Sequence, residues 1–437
     1  MKYEEWLKRK KLSYKDENLF FDGVDLIDLT NEYGTPLYVT SEDIVREQYN
    51  KLINLLKSEY EKSYIYFAVK SNSNISILKI LDSEGSYFDC SSVGEIKACF
   101  RAGINSSKIL YTGNMFTNED FQFAIENDIK INLDSLTQLK RLNSIYERLN
   151  RQKKLISFRF NPEFGAGHHS HTITAGKEIK FGILEHQIID AYSKAKNLGF
   201  SQFGIHQHIG SGILDARDYE KAVKKFIEII KKVVNKVHIK FEFIDFGGGL
   251  GIPYRPNEDP LDLKSYRQTL MSEFKDFMEN TNQNNIKIYI EPGRFITGES
   301  TILLAEVNTL KDNGYKLFAG INAGFNTLIR PTLYGSYHHI INCQKHSETY
   351  YRYDVAGPIC ESGDVLGKDR ELNEIKLNDI LAILDTGAYG FSMASNYNSR
   401  PRPAEVILHN NEAYLMRKSE SYEDLFALQT LPEFLKD

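Results

Sequence analysis

Between residues 36 and 290, short apolar runs alternate with longer stretches whose apolar residues recur at helical spacing. IYFAV (65–69), KILYT (108–112), ISFRFN (156–161), FGIHQHIG (203–210), FEFIDFGGG (241–249) and IKIYIEPG (286–293) predict strands. Within 219–232, Ala222, Phe226, Ile229 and Ile230 predict one buried helix face. This alternation implies parallel strands joined by crossover helices. Polar and glycine-rich residues follow one strand after another, and a barrel carries its chemistry at those ends. The expected fold is therefore α/β, with a (β/α)8 TIM-type barrel over 36–294. Beyond about 295 the pattern changes to shorter β-like runs, TILLAEVNTL, YKLFAGIN and DILAILDTGAY, separated by turn residues. They predict a second, mainly β domain formed by 1–35 plus 295–437.

Composition narrows the function. With 41% hydrophobic and 12% aromatic residues among 437, the chain has ample core and is neither disordered nor fibrous. The 54 Lys+Arg against 59 Asp+Glu leave a net charge of −5, which draws the chain to neither nucleic acid nor anionic lipid. A small-molecule partner is expected instead. No apolar run reaches the roughly 18 to 20 residues of a membrane helix, and the start lacks the apolar segment of a secretory signal, so a cytoplasmic location is expected. Cys90, Cys99, Cys343 and Cys360 lack paired C-x-x-C spacing, which predicts reduced thiols and no zinc framework.

Several strand ends carry candidate chemistry. Lys70 closes IYFAVK, where a partly desolvated amine can act as a Schiff-base nucleophile; taken alone, the residue reads as an exposed strand-end lysine, and the motifs downstream change that weighting. The run D-F-G-G-G-L-G from Asp245 to Gly251 offers backbone N–H groups suited to a phosphate, or simply a tight turn. In I-Y-I-E-P-G-R, Glu291 and Arg294 flank a turn, and a carboxylate there would hold a pyridine nitrogen protonated. His206 and His208 stand two apart in H-Q-H-I-G-S, on one face of the predicted strand. Neither they nor the H-H-S-H of 168–171 find a third ligand at metal spacing, so no metal is expected. A ring stacked on a planar cofactor is the alternative use of His208.

Taken together, these motifs resemble the fold-type III pyridoxal-phosphate-dependent decarboxylases, alanine-racemase-like barrels fused to a β domain, from about residue 33 to 406. N-T-L-I-R-P-T-L-Y-G-S-Y (326–337), G-P-I-C-E-S-G-D (357–364) and G-A-Y-G-F-S-M-A-S-N-Y-N-S-R-P-R-P-A-E-V (387–406) resemble, within that group, the diaminopimelate decarboxylases. The resemblance implies pyridoxal 5'-phosphate as cofactor, with Lys70 joined to its aldehyde, Asp89 near its ring and His208 stacked upon it. Ser211, Gly247, Gly248, Gly249 and Arg294 would lie near the phosphate, with Gly293 in the same cofactor-binding set. Glu291 would face the pyridine nitrogen, and Tyr389 would complete the pocket. It further implies a homodimer with shared sites, in which Cys360 and Glu361 enter the neighbouring subunit's pocket and Cys360 protonates the α-carbon.

The implied reaction is decarboxylation of meso-2,6-diaminopimelate to L-lysine and CO2 in lysine biosynthesis. A substrate with a second amino-acid group asks for an acid and an arginine at its distal end. Arg294, Arg330, Tyr334, Glu361 and Tyr389 form that substrate-binding set, with Tyr337 adjacent in sequence. The alternatives are a decarboxylase of ornithine, lysine or arginine and, on the same barrel, a non-catalytic pyridoxal-phosphate-binding protein. Departures from the family pattern fall at Gln207, Gly212 and Asn322. The stretch 161–183 matches loosely, with His169 and Lys180 as counterparts.

Overall fold

The computed structural model describes residues 3–165, 167, 174–281 and 283–436. His169 and the H-H-S-H of 168–171 therefore lie outside the described residues.

Two compact units emerge, one comprising Val45–Pro253 and Asp259–Thr297, the other Met1–Ile44, Tyr254–Glu258 and Gly298–Asp437. The first is the barrel. Its strands run Ser63–Ala68, Tyr87–Cys90, Ile109–Thr112, Lys130–Leu133, Leu155–Phe160, Gln202–Gln207, Phe241–Asp245 and Lys287–Ile290, closed in that order. Every neighbouring pair is parallel. Strands covered on both faces read as continuous apolar runs, which is why six of them were legible in the chain. Tyr87–Cys90 and Lys130–Leu133 were not, because four residues containing Asp89 or Lys130 carry too weak a signal. The crossover helix Arg217–Val237 buries Ala222, Phe226, Ile229 and Ile230 as its periodicity requires. Inside the barrel, Tyr66, Leu110, Phe243 and Tyr289 form a packed layer, with the Phe243 and Tyr289 rings stacked at 4.5 Å between centroids.

The second unit is mainly β. Its central strand Thr301–Asp312 pairs antiparallel with Leu317–Ile321, Ile380–Ile383 and Leu37–Ser41. Leu37–Ser41, expected to open the barrel, also pairs in parallel with Ala404–His409, so this segment belongs to the β unit instead. All five of its residues are buried, and a strand covered on both faces reads the same in either setting. Tyr254–Glu258 likewise joins the β unit from within the expected barrel range. A buried ion pair anchors the N-terminal segment: Lys10 Nζ lies 2.6 Å from Asp385 Oδ1 and 2.8 Å from Glu299 Oε1.

Candidate active site

In the barrel unit, ionisable side chains gather where strands give way to loops. Lys70 follows the strand Ser63–Ala68 in a short 3-10 turn, Val69–Ser71, tied by Ser71 Oγ donating to the Ala68 carbonyl at 2.7 Å. Its Nζ sits 2.7 Å from Asp89 Oδ2, and the amine stays partly exposed at 38% while Asp89 is fully buried. Burial and nearby Glu291 push the Asp89 carboxyl up, outweighing the Lys70 charge that opposes them. Gly293 allows the neighbouring loop to come this close, since a Cβ there would meet Ser71 Cβ and Oγ at 2.8 Å.

The glycine run packs against two other strand-end loops. Ile213 N–H donates to the Gly249 carbonyl at 2.9 Å, and Gly251 N–H returns a bond to the Ile213 carbonyl at 2.9 Å. This zips H-I-G-S-G onto G-G-G-L-G. A Cβ at Gly248 would stand 2.0 Å from the Glu291 carbonyl oxygen, so only glycine permits that approach. Arg294, buried, donates from Nη2 to Ser211 Oγ at 3.1 Å beside this cradle.

His208 lies just past the end of strand Gln202–Gln207, rather than within it beside His206. Its Nδ1 accepts the Gly248 N–H at 3.1 Å. Burial, then the charges of Arg159 and Lys70, hold the ring well below the usual imidazole range. It is thus a neutral ring protonated on Nε2. Glu291 Oε2 lies 3.1 Å from His206 Nε2, while Oε1 receives no hydrogen bond among the described residues. Burial alone would raise Glu291, but His206 and Lys70 outweigh it and hold the carboxyl down at about 2.

These groups fit pyridoxal phosphate. The glycine cradle with Ser211 and Arg294 suits a phosphate, the open Oε1 of an ionised Glu291 suits a pyridinium N–H, and Lys70 is an amine of the right kind for the aldehyde. The sequence missed Arg159, a buried cation at the end of strand Leu155–Phe160 whose Nη2 donates to the carbonyls of Thr174 and His208 at 3.1 and 3.4 Å. Its one signal was the break that Arg159 makes in an apolar run. Nor did spacing show that His206, Asp245 and Glu291 place donor atoms within 4.8 Å of one another. Such a trio has the makings of a cation site, but the positive charges of Lys70 and Arg159 already act on Glu291.

The β unit holds the other expected residues. Arg330 opens the short helix Arg330–Tyr334 and is only 1% exposed. Its Nη1 donates to Tyr254 Oη and His338 Nε2, both at 3.0 Å, and its Nη2 to Ser336 Oγ at 3.3 Å. His338 Nδ1 meets the Leu384 carbonyl at 2.8 Å, so Nδ1 carries the proton and Nε2 accepts. Tyr334 is half-buried. Tyr337 is committed elsewhere, with the Arg370 and Arg255 guanidinium carbons 3.8 and 4.0 Å from its ring centroid.

Cys360 and Glu361 are exposed on a turn that buried Asp364 shapes by accepting the N–H groups of Ile359 and Phe325 at 2.7 and 2.6 Å. Glu361 accepts from Tyr397 Oη at 2.7 Å. Tyr389 has φ of +58°, a conformation bulky residues adopt at functional sites rather than by default. Among the departures, Gln207 is buried, Gly212 occupies a left-handed turn at φ 77°, and Asn322 donates to Thr35 Oγ1 at 2.8 Å. Lys180 is exposed over the Phe181 ring, 5.2 Å from its centroid.

Residues 45–298 match the family described as pyridoxal-dependent decarboxylase, pyridoxal binding domain. The diaminopimelate decarboxylase of Methanothermobacter thermautotrophicus is 45% identical over 95% of this chain and 96% of its own length. Among solved structures, diaminopimelate decarboxylase from Methanocaldococcus jannaschii in co-complex with L-lysine superposes with a TM-score of 0.92 at 32% identity, covering 98% of this chain and 99% of that one. The Helicobacter pylori enzyme complexed with L-lysine gives 0.86 at 35% identity, covering 92% and 98%. The eight-stranded barrel, the lysine, glutamate and glycine cradle at its strand ends, and relatives matching nearly end to end agree: the chain belongs to the diaminopimelate decarboxylase family of pyridoxal-dependent enzymes.

Proposed function

We propose that this chain converts meso-2,6-diaminopimelate to L-lysine and CO2, using the residues gathered above. The observation that carries the site assignment is the Lys70–Asp89 pair at 2.7 Å, gathered at the barrel's strand ends with Glu291, whose carboxyl His206 and Lys70 hold down. When bound, pyridoxal phosphate supplies an electron sink for the bond that breaks at the α-carbon. Lys70 presents its amine to the cofactor's aldehyde, and Asp89 holds that amine in place between turnovers. Glu291 accepts the pyridine N–H through Oε1. His208, a neutral ring fixed by Gly248, covers one face of the cofactor. Gly247, Gly248, Gly249, Ser211 and Arg294 take the phosphate, with Gly293 letting their loops pack.

At the distal end of the substrate, Arg330 binds the second carboxylate, assisted by Tyr334 and Arg294, and Glu361 binds the second ammonium. Tyr389 closes the pocket. Cys360 delivers a proton from Sγ to the α-carbon. Both Cys360 and Glu361 are exposed, which supports their service in a neighbouring subunit and hence a homodimer with shared sites. A cytoplasmic enzyme with no nucleic-acid partner accords with the net charge of −5. No helix among the described residues is long and apolar enough to cross a membrane.

The test is a panel of meso-diaminopimelate, ornithine, lysine and arginine with CO2 release measured for each. Diaminopimelate should be strongly preferred, and preference for any other member overturns the substrate assignment. Borohydride treatment of the loaded enzyme, followed by peptide mapping, should add the phosphopyridoxyl mass at Lys70 and nowhere in a Lys70→Ala variant. A label at another lysine would refute the site.

A further inference from the structure

Three strands of the barrel send buried polar side chains into one space. His206 comes from Gln202–Gln207, Asp245 ends Phe241–Asp245, and Glu291 follows Lys287–Ile290. Their ligand atoms all lie within 4.8 Å of one another, and all three residues are buried. His206 Nε2 is 3.1 Å from Glu291 Oε2. Asp245 is held from the other side, its Oδ1 accepting the Gly247 N–H at 2.9 Å, while among the described residues no N–H or hydroxyl reaches its Oδ2, and its carboxyl shares a side-chain hydrogen bond with Glu291.

Two buried carboxylates this close cannot both remain ionised at modest cost, because like charges repel most strongly where water is excluded. Glu291 has the imidazole donor and the influence of Lys70, so it keeps the charge. Asp245 then carries the proton, and Oδ2 is the oxygen left to carry it, since Oδ1 is engaged by a backbone donor. Burial followed by the Glu291 charge pushes the Asp245 carboxyl well up, in the same direction.

We propose that His206 and Asp245 are positioning residues for the decarboxylation, His206 by binding Glu291 Oε2 and Asp245 by standing beside it as a neutral carboxylic acid, so that Glu291 stays a carboxylate with Oε1 open to the ring nitrogen. This rests on the reading of Glu291 as the cofactor's nitrogen partner. Neither residue touches the cofactor in this account. Both act through Glu291.

Isosteric replacements separate this role from mere packing. Asp245→Asn keeps an acceptor for Gly247 and a donor beside Glu291, whereas Asp245→Leu removes both; His206→Gln keeps a donor near Oε2, whereas His206→Phe does not. The readouts are the visible absorption band of the bound cofactor as a function of pH, the kcat and KM for diaminopimelate, and thermal unfolding to confirm folding. Asp245→Leu and His206→Phe should lose about 10–100-fold in kcat with KM little changed, the scale typical of outer partners of a functional ligand. Their band should titrate at higher pH, because Glu291 without its donors takes up a proton more readily. Asp245→Asn and His206→Gln should keep the wild-type band and most of the rate. If Asp245→Asn falls as far as Asp245→Leu, Asp245 works as a carboxylate and the proposal fails; it fails also if all four variants match wild type. Wild-type protein with no visible band after loading would instead remove the cofactor reading itself, and this role with it.

Discussion

Arg330→Met offers the sharpest test of substrate identity. The guanidinium is 1% exposed and held at 3.0, 3.0 and 3.3 Å by Tyr254, His338 and Ser336, so its orientation is set before any ligand arrives. A preorganised charge meeting a carboxylate in a buried site forms a hydrogen bond worth about 1.5–3 kcal/mol. At about 1.4 kcal/mol per tenfold, its loss should raise KM for diaminopimelate roughly 10–150-fold. The kcat should move much less, because the distal carboxylate is remote from the bond that breaks. A separate effect falls on stability, since His338 Nε2 loses its donor in a buried setting, costing about 1–3 kcal/mol. Initial rates of CO2 release against substrate concentration, paired with thermal unfolding, distinguish the two. A variant that melts earlier yet keeps the wild-type KM would show that Arg330 only braces the β unit, and the distal-carboxylate assignment would be abandoned.

Other outcomes follow from the packing. Gly248→Ala sets a Cβ 2.0 Å from the Glu291 carbonyl oxygen, and relieving such an overlap costs about 1–3 kcal/mol, so cofactor titration should show roughly 5–150-fold weaker binding. Unchanged affinity would detach this loop from the phosphate. Lys10→Met leaves buried Asp385 without its partner at 2.6 Å and should cost about 3–5 kcal/mol in unfolding free energy, most of it regained in the Lys10→Met/Asp385→Asn double variant. The sign with pH is set by Asp385, whose carboxyl burial raises from 3.8 to about 6 in the folded chain. A raised acid binds protons to the native state first, and Lys10 is the partner that holds Asp385 down, so in Lys10→Met the carboxyl titrates higher still and the penalty should shrink as pH falls towards about 6. A penalty that grows on acidification would refute this.

Much of the candidate site was readable from the chain because its members stand at strand ends beside strong local signals. Lys70 follows an apolar run, Glu291 precedes Pro292 and Gly293, and His208 sits before a glycine turn. The same logic failed where burial on two faces erases context. Leu37–Ser41 is buried throughout, and nothing local says whether it lies in a barrel or at the centre of a mixed sheet. Two barrel strands of four residues were too short to register, although one of them places Asp89 against Lys70.

What the sequence determined by itself was the alternation that makes a parallel barrel, the β texture that follows it, and the residue types able to hold a phosphopyridoxyl group. Those depend on periodicity and on side-chain chemistry, both local properties. Only tertiary structure decided which charges survive. Asp245 and Glu291 are ordinary carboxylates in the chain, and the opposite directions in which they are pushed follow from burial within 4.8 Å of each other with one imidazole between three strands. A pKa is a property of surroundings, and those surroundings exist only once the barrel has closed.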